Sequence, residues 1–372
     1  MPVLAIDGRT ANARQRAGVG SFCTELLRAL PAVLGEWRLI VYLDAPPRAG
    51  FPLTSVQAEI RVLPRVRLWT QRALPAALAA DKVDVYFSPT AHLPFCLPCK
   101  GVAMILDLAY VTFGGHFTAR QRFQARLQTW WTVRKAAHLL PLSEATAQDL
   151  ARLYHVPRER MTVTLAGPAP QFRPPSAGEI ARVRAALNLP EHFVLYVGRI
   201  QPRKNLARLM EGFARVRAAH PELPHTLLLA GDKGWLTEGI HAAAQASAVR
   251  DHIRFLGFVE DGDLPGLIGA AEVLALVSLW EGFGLPVIEA MACGTAVLTS
   301  DCSSLPEVAG DAAALADPND IESITLALER LLTDNAYRED LAARGPAQAA
   351  KFTWEETARR VMEGLEKALK TA

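Results

Sequence analysis

Apolar residues in this chain follow two alternating patterns. Short runs of consecutive apolar residues are typical of buried strands in a parallel sheet, and segments in which apolar residues recur every three or four positions are typical of helices. Alternating strands and helices predict an α/β fold. Along the first half the pattern predicts strands at 3–6, 38–43, 83–88 and 102–108, helices at 20–30 and 122–140, and a further helix capped by Ser143.

A proline-rich join at 167–179 separates this series from a second one. Such joins are typical of domain boundaries. We therefore predict an N-terminal domain over 1–172 and a second domain over 173–352, each a doubly wound parallel sheet, with the two facing a cleft. The second series predicts strands at 193–198, 225–231, 253–259, 273–278 and 296–300, and a last amphipathic helix from about Trp354 to Leu369.

The composition is that of a soluble globular protein, with 50% hydrophobic and 21% charged residues among 372. No apolar run approaches the roughly 18–20 residues of a membrane helix, and "MPVLAIDGRT" lacks the layout of a signal peptide. Cys96 and Cys99 form a lone C-x-x-C without the second pair that a zinc site needs. We predict a cytoplasmic protein with no metal site.

The net charge of +2 hides an asymmetry between the two halves. Residues 1–175 carry 21 basic and 11 acidic side chains, whereas residues 176–372 are acidic overall. The basic half is predicted to meet an anionic partner. Its segment "RVRLWTQRAL" (65–74) fits peripheral contact with an anionic membrane at the inner face, and it equally fits an ordinary exposed basic helix.

Basic residues cluster where a strand of the second domain gives way to a helix, in "YVGRIQPRKNLARLMEGF". Arg199, Arg203 and Lys204 lie between Gly198 and the predicted helix. A helix N-terminus offers unpaired N–H groups and a positive dipole end, so cations beside it favour a diphosphate. "ARQRAGVGSF" places Gly18 and Gly20 at another helix start, a weaker signal when taken alone.

Two carboxylates interrupt the apolar stretch "SLWEGFGLPVIEAMACG" (278–294). Glu281 lies in a loop after a strand, and Glu289 lies about one turn inside a helix that begins near Pro286. One carboxylate suits a sugar and the other suits ribose hydroxyls. A pair of acids also serves hydrolysis as acid and base, but the neighbouring cations favour nucleotide-sugar binding.

"EGFGLPVIE" is an E-x7-E motif, and together with "GRIQPRKN" it resembles the retaining glycosyltransferases of family 4, which have the GT-B fold of two Rossmann-like domains. The resemblance covers nearly the whole chain and is greatest to bacterial mannosyltransferase-like members that build surface polysaccharides. It implies transfer of a hexose, with GDP-mannose as the expected donor of mannose, to a glycan or lipid-linked acceptor. The nucleoside diphosphate sugar is then the donor substrate, and no cofactor or metal is expected.

The resemblance also implies roles for individual residues. Arg199 and Lys204 match the pair that binds the donor diphosphate, Glu281 matches the acid that contacts the donor sugar, and Glu289 matches the acid that holds the nucleotide ribose. The family's final helix, here 353–372, crosses back to the N-terminal, acceptor-side domain. The remaining matches are Phe283 and Gly284, whose backbone N–H groups meet the sugar and phosphate, Leu285, which packs nearby, and Gly18 and Gly20, whose loop closes over the phosphates.

One position departs from the family pattern. Many members carry His-Asp after the strand that here reads "VAMILDL", and this chain has Leu106 followed by Asp107. Either Asp107 or a nearby histidine (His92 or His116) takes the polar role, or the donor contact differs. Leu106 favours one alternative, a non-catalytic nucleotide-sugar-binding subunit. A GT-B epimerase is a second alternative, although the sequence shows no constellation of acid and base residues for proton abstraction. Binding of nucleic acid is disfavoured because no recognition motif is present.

Overall fold

The computed structural model describes residues 1–14, 18–116 and 118–370, and the side chain of His116 lies outside this description. The chain forms two compact units. The first comprises Met1–Gly114, Thr118–Ala166 and Thr353–Ala372, and the main segment of the second is Gly167–Phe352. The chain passes between the units at the start of the proline-rich join, six residues before the boundary predicted at 172/173.

The first unit is built on a six-stranded parallel sheet in the order β3-β2-β1-β4-β5-β6. Its strands are β1 (Val3–Asp7), β2 (Arg38–Leu43), β3 (Glu59–Val62), β4 (Val85–Ser88), β5 (Lys100–Ile105) and β6 (His138–Pro141). Its first helices are α1 (Val19–Ala29), α2 (Trp69–Arg72), α3 (Leu74–Ala80), α4 (Ala109–Thr112), α5 (Ala119–Lys135) and α6 (Glu144–Tyr154).

The second unit repeats this topology with the order β12-β11-β10-β7-β8-β9, again all parallel. The strands are β7 (Phe193–Val197), β8 (Thr226–Ala230), β9 (Ile253–Gly257), β10 (Val273–Leu276), β11 (Ala296–Ser300) and β12 (Ala314–Ala316). The helices are α7 (Ala177–Leu187), α8 (Leu206–Ala219), α9 (Glu238–Ala246), α10 (Leu264–Ala270), α11 (Leu285–Ala292), α12 (Leu305–Ala309), α13 (Ile321–Thr333) and α14 (Asn335–Ala349).

These two sheets confirm the predicted doubly wound α/β class. In each sheet the strand order reverses between the first and fourth strands, β1 and β4 in one unit and β7 and β10 in the other. Loops that leave the carboxyl ends of two such strands diverge to opposite faces and leave a crevice where ligands bind. In the second unit these two loops carry the predicted basic cluster and the E-x7-E motif.

One local prediction was wrong, and two strands were not predicted. The helix predicted over 122–140 ends at Lys135, because Ala136 adopts an extended conformation and His138–Pro141 pairs with β5 as strand β6. A short apolar run can form either a buried parallel strand or the end of a helix, and the sequence pattern alone does not distinguish the two. The strands β3 and β12 were missed because both are short edge strands of mixed polarity.

The last helix, α15 (Trp354–Lys370), belongs to the first unit although it follows the second in the chain. It packs on α1 and on strands β4 to β6, with Val361 and Leu365 fully buried. The ring of Trp354 meets that of Phe22 edge to face, with centroids 5.3 Å apart. Among the described residues, no helix combines the length and apolar character needed to cross a bilayer.

Candidate functional site

Two loops of the second unit meet at the point where its strand order reverses. One follows β7 and contains Arg199 to Asn205, and the other follows β10 and contains Val277 to Gly284. The amide N–H of Leu279 donates to the carbonyl oxygen of Arg203 (3.0 Å), and the side-chain amide of Asn205 donates to the carbonyl oxygen of Val277 (3.0 Å). These bonds fix the basic cluster against the loop that carries Glu281.

The Glu281 carboxylate lies between two cations. Lys204 Nζ is 2.5 Å from Oε1, and Arg203 Nη1 is 3.0 Å from Oε2. The hydroxyl of Ser278 also donates to Oε1, at 2.6 Å. Glu281 is only 7% exposed and Lys204 is buried as well, so water screens these interactions little. The loop predicted to meet a sugar therefore holds a buried ion-pair network.

Opposing effects set the ionisation of Glu281. Burial by itself raises the pKa of this carboxyl, but the charges of Lys204 and Arg203 outweigh burial and lower the pKa to about 2. Glu281 is therefore an anion at neutral pH. It neutralises one of the two cations and leaves the network with an excess positive charge, which suits an anionic ligand.

Hydrogen bonds to two serines hold the loop from Glu281 to Gly284, and the sequence analysis did not single out either serine. Ser303 accepts a hydrogen bond from the amide of Glu281 (3.1 Å), and Ser304 donates to the carbonyl oxygens of Glu281 (3.0 Å) and Phe283 (2.9 Å). Gly284 has φ +107°, and a Cβ there would lie 2.7 Å from the Leu305 side chain. Only glycine fits this position.

Gly284 is the N-cap of α11, and Leu285 is its first residue. Pro286 lacks an N–H and tolerates the first turn of a helix. The Phe283 ring is buried and packs edge to face on Phe352, with centroids 5.8 Å apart. The loop backbone is thus fixed by apolar contacts and by the serine hydrogen bonds.

Glu289 lies in α11, and the structure does not join it to Glu281. Burial, together with the nearby charge of Asp261, raises the pKa of the Glu289 carboxyl to about 8. The side chain is half-buried at the surface. A partly exposed carboxyl that is costly to ionise is a candidate for hydrogen bonding to ligand hydroxyls.

Arg199 behaves differently from its two neighbours. Its side chain is exposed and forms no ion pair within the described part of the chain, while its carbonyl oxygen accepts from the Tyr196 hydroxyl at 3.0 Å. Sequence reasoning paired Arg199 with Lys204, whereas the structure pairs Arg203 and Lys204 through Glu281. Arg199 therefore offers a charge to a ligand without first breaking an ion pair.

Gln201 is a further candidate that sequence reasoning missed. The residue is 4% exposed, and its Oε1 atom has no hydrogen-bond partner among the described residues. An unsatisfied buried acceptor is costly, and a ligand hydroxyl or amide is one way of satisfying it. Only its place inside "GRIQPRKN", between two basic residues, could have pointed to it.

The remaining predicted residues lie in the first unit. Asp107 follows β5 and accepts a hydrogen bond from the amide of Ala109 (3.0 Å) at the start of α4. Gly18 adopts φ +58° as the N-cap of α1, and Gly20 is buried within that helix. The loop residues 15–17 before Gly18 lie outside the described residues. His92 is exposed, with Nδ1 3.1 Å from the Thr90 hydroxyl.

A second cluster of titratable groups lies at the opposite edge of the second sheet. His192, His225 and Glu272 directly precede β7, β8 and β10, and they offer ligand atoms within 4.8 Å of one another. The Glu272 carboxylate already accepts from both imidazoles, and Arg338 lies 3.3 Å from Oε2. The arginine charge opposes a metal ion, so we interpret the cluster as a structural ion-pair network.

Comparisons with known proteins agree with this arrangement. The chain matches the family profile of glycosyl transferases group 1 over residues 179–348 and that of Glycosyltransferase Family 4 over residues 16–167. It is 30% identical over 356 residues to the O-antigen chain mannosyltransferase B of Escherichia coli, an alignment that covers 91% of this chain and 93% of that protein.

Solved structures show the same fold across the whole chain. Sucrose-phosphate synthase from Thermosynechococcus elongatus matches with a TM-score of 0.77 at 22% identity and covers 98% of both chains. Anabaena Alr3699/HepE, solved in complex with UDP and glucose, matches with a TM-score of 0.77 at 19% identity and covers 98% of this chain and 99% of that one. At these identities the likeness concerns the fold.

Proposed function

This chain belongs to glycosyltransferase family 4, and we propose that it transfers mannose from GDP-mannose to a glycan or lipid-linked acceptor, with retention at the anomeric carbon. It is a hexosyltransferase with the GT-B fold that the sequence predicted. A relative whose alignment covers 91% of this chain is named as a mannosyltransferase of O-antigen chains, which supports mannose as the sugar and a bacterial surface polysaccharide as the product.

The observation that carries the donor proposal is the network of Lys204, Arg203 and Glu281 at the crevice of the second sheet. In the free protein Lys204 is paired with Glu281. A donor diphosphate would draw Lys204 and the exposed Arg199 to its oxygens, and Glu281 would then accept hydrogen bonds from sugar hydroxyls. Cations placed in advance around a leaving diphosphate stabilise the charge that develops as the glycosidic bond breaks.

We propose that these cations take the place of a metal ion. Arg199, Arg203 and Lys204 supply three positive charges within six residues, next to the N-terminus of α8. Glu289 would hold the nucleotide ribose. The loop of Gly18 and Gly20 would cover the phosphates, and the backbone N–H groups of Phe283, Gly284 and Leu285 would meet the sugar. Asp107 is the group proposed for the polar role beside Leu106.

A lipid-linked acceptor would lie at the surface of an anionic membrane. The basic first half of the chain supports this choice of acceptor, because 21 basic side chains outnumber 11 acidic ones over residues 1–175. We therefore propose a cytoplasmic protein with peripheral contact at the inner face of the membrane.

The first experiment is a thermal-shift panel with GDP, UDP, ADP and dTDP, followed by their sugar conjugates. A ligand that binds only the native state raises the melting temperature. At a ligand concentration one hundred times Kd, it adds about 2.7 kcal/mol to the free energy of unfolding. We expect GDP and GDP-mannose to give the largest shift. Lys204→Ala should abolish the shift, while Arg250→Ala, which removes an exposed arginine of the same unit, should preserve it.

Transfer separates the proposal from its alternatives. We expect the purified protein to move mannose from GDP-mannose to a mannose-containing acceptor, with unchanged activity in EDTA and an α-linked product seen by NMR. A shift with GDP-mannose but neither transfer nor donor hydrolysis would favour the non-catalytic subunit that Leu106 suggests. Release of an epimerised sugar would favour an epimerase, and no shift with any nucleotide would contradict the donor site.

A further inference from the structure

Helix α5 of the first unit buries two threonines beside Val133 and exposes three large apolar residues. Thr129 and Thr132 are buried, and Thr132 donates to the carbonyl oxygen of Ala91 at 2.9 Å. Phe123, Leu127 and Trp130 face outwards and are 69%, 51% and 43% exposed. A helix on a soluble domain normally buries its apolar stripe and exposes its polar one. The exposed apolar side of α5 therefore indicates a partner that is absent from the folded chain alone.

The three exposed apolar residues form one continuous stripe. Positions 123, 127 and 130 are spaced by four and three residues, so they project from a single face of the helix. Arg120 and Arg126 flank this face on opposite sides of the helix, and both are exposed. We call Phe123, Leu127 and Trp130, with these two arginines, the α5 stripe.

The charge of α5 is of one sign. Its 17 residues include five basic side chains and no carboxylate, and none of the five forms an ion pair with a carboxylate in the described part of the chain. The guanidinium of Arg134 stacks over the Trp130 ring, 4.4 Å from its centroid. Arginine next to tryptophan, beside a bare apolar stripe, is the composition of a helix that lies in the headgroup region of an anionic bilayer.

The loop beside α5 extends the exposed apolar surface. Phe95 is exposed, and its ring packs edge to face on Trp131 with centroids 5.1 Å apart. Trp131 Nε1 donates to the carbonyl oxygen of Pro94 at 3.5 Å, which fixes the loop to the helix. Phe95 therefore adds to the stripe as part of a supported surface.

The segment predicted to touch a membrane, residues 65–74, contributes less exposed apolar surface than its sequence suggests. Trp69 is buried beneath the guanidinium of Arg9, which lies 4.0 Å from the ring centroid, and Leu74 is buried in the core. Arg9 is in turn held by Asp7 and Thr70. The aromatic residue of that segment therefore stabilises the fold, and the exposed residues 65–68 and Arg72 remain available to a surface.

We propose that the α5 stripe docks this protein on the headgroup region of an anionic lipid membrane. Phe123, Leu127 and Trp130 would enter between the headgroups, and Arg120 and Arg126 would pair with lipid phosphates. A second copy of this chain is a poorer occupant, because a symmetric contact would bring the arginines of both copies together. A phospholipid surface satisfies both the apolar stripe and the positive charges.

This inference deepens the proposed function, because it names the surface that would bring the enzyme to a lipid-linked acceptor. It does not need the donor site. Vesicle binding is measured without nucleotide, so a failure of docking and a failure of transfer are separate results.

The test is co-sedimentation of the full chain with vesicles of phosphatidylcholine, with and without phosphatidylglycerol. We expect binding to the anionic vesicles only, and weaker binding at high salt. Arg126→Gln should weaken binding about fivefold, the usual effect of one basic residue at an anionic surface. The double variant Phe123→Ser and Trp130→Ser should reduce binding more than tenfold, because two inserted rings are lost.

Matched controls lie on the second unit. Leu326, on α13, is an exposed apolar residue, and Arg250 is an exposed arginine. Leu326→Ser and Arg250→Gln should bind vesicles as the unsubstituted chain does. All five substituted positions are at the surface, so unchanged circular dichroism and melting temperature are expected and would exclude misfolding.

Three results would overturn the proposal. The first is no binding of the unsubstituted chain to anionic vesicles. The second is equal binding of the stripe variants and the controls, which would place the membrane contact elsewhere. The third is a concentration-dependent dimer by light scattering that Leu127→Ser dissolves while vesicle binding is retained, which would make the stripe an interface between copies.

Discussion

Glu281 is a carboxylate that the free protein already holds between two cations, Lys204 at 2.5 Å and Arg203 at 3.0 Å. Removing one member of a buried ion-pair network leaves an uncompensated charge, which typically costs about 3–5 kcal/mol. Because Arg203 remains when Lys204 is replaced, the cost of Lys204→Ala should fall below that range. Lost donor binding in this variant would then reflect the missing cation, because the second unit would remain folded.

Glu289 gives a prediction about pH at the scale of one residue. Its folded-state pKa is raised to about 8 by burial and by Asp261, whereas an unfolded glutamate titrates near 4.5. Between these two values the unfolded chain releases the proton while the folded chain keeps it. The folded state therefore loses stability as the pH rises from about 4.5 to about 8.

Glu289→Gln removes this titration, so the variant should melt at a higher temperature than the unsubstituted chain, and the gap should widen from pH 5 to pH 8. Differential scanning calorimetry across this range measures it. Ionised Glu289 accepts more hydrogen bonds, so nucleotide affinity should rise with pH in the unsubstituted chain and stay flat in the variant. A constant melting gap would contradict the raised pKa.

At the scale of elements, the parts that the sequence predicted well are those with a strong local signal. The strand Ala296–Ser300 agrees with its prediction at both ends, and the Ser143 side chain caps α6 by accepting from the amide of Thr146 at 3.1 Å. Local sequence alone does not decide every cap: Asp263 occupies the N-cap position of α10 without a capping bond, and its carboxylate pairs with Arg182 at 2.7 Å. Partners distant in sequence decide such cases.

In the candidate site, too, residues with a strong local signal were predicted and residues set by distant contacts were not. The E-x7-E motif located Glu281 and Glu289, because two acids in an apolar stretch are unusual. The choice of Arg203 over Arg199 as the second partner of Glu281 depends on how two loops 77–78 residues apart approach each other. Ser303 and Ser304 carry no local signal, since serine is an ordinary loop residue, and Gln201 has only its place between two basic residues.

The amino-terminal edge of the second sheet gives an element-scale prediction. Hydrogen bonds from His225 and His192, together with the Arg338 charge, lower the pKa of Glu272 to about 2, against about 4.5 when unfolded. A lowered pKa contributes stability that is complete above about pH 4.5 and is lost as the pH falls towards 2. The carboxylate joins the starts of β7, β8 and β10.

Glu272→Gln should therefore lower the melting temperature at pH 7, and the difference from the unsubstituted chain should shrink at pH 3. Glu260→Gln, an exposed acid of the same unit, is the control and should have little effect at either pH. Added zinc should not raise the melting temperature, because Arg338 opposes a bound cation. A zinc-dependent increase that Glu272→Gln abolishes would instead identify a metal site.

At the scale of the whole molecule, the first unit is completed by the last segment of the chain. Residues 353–370 pack in the unit that begins at Met1, so the two ends of the chain belong to one core. The sequence placed this helix correctly, from about Trp354 to Leu369, because its apolar period is regular. Its buried face, which includes Ala358, Val361 and Leu365, forms a continuous contact with β4, β5 and β6.

A core formed from both chain ends makes a direct prediction about unfolding. Leu365 is fully buried in the first unit, so Leu365→Ala should lower that unit's stability by about 2–5 kcal/mol, the usual range for a large-to-small core change. Leu369→Ala removes a partly exposed leucine of the same helix and should cost less. In urea unfolding, Leu365→Ala should move the transition of the first unit to a lower urea concentration.

GDP should still protect the second unit, because the proposed donor groups Lys204, Glu281 and Glu289 all lie there. Loss of GDP binding in Leu365→Ala, with the second unit still folded, would show that the donor site needs an intact first unit.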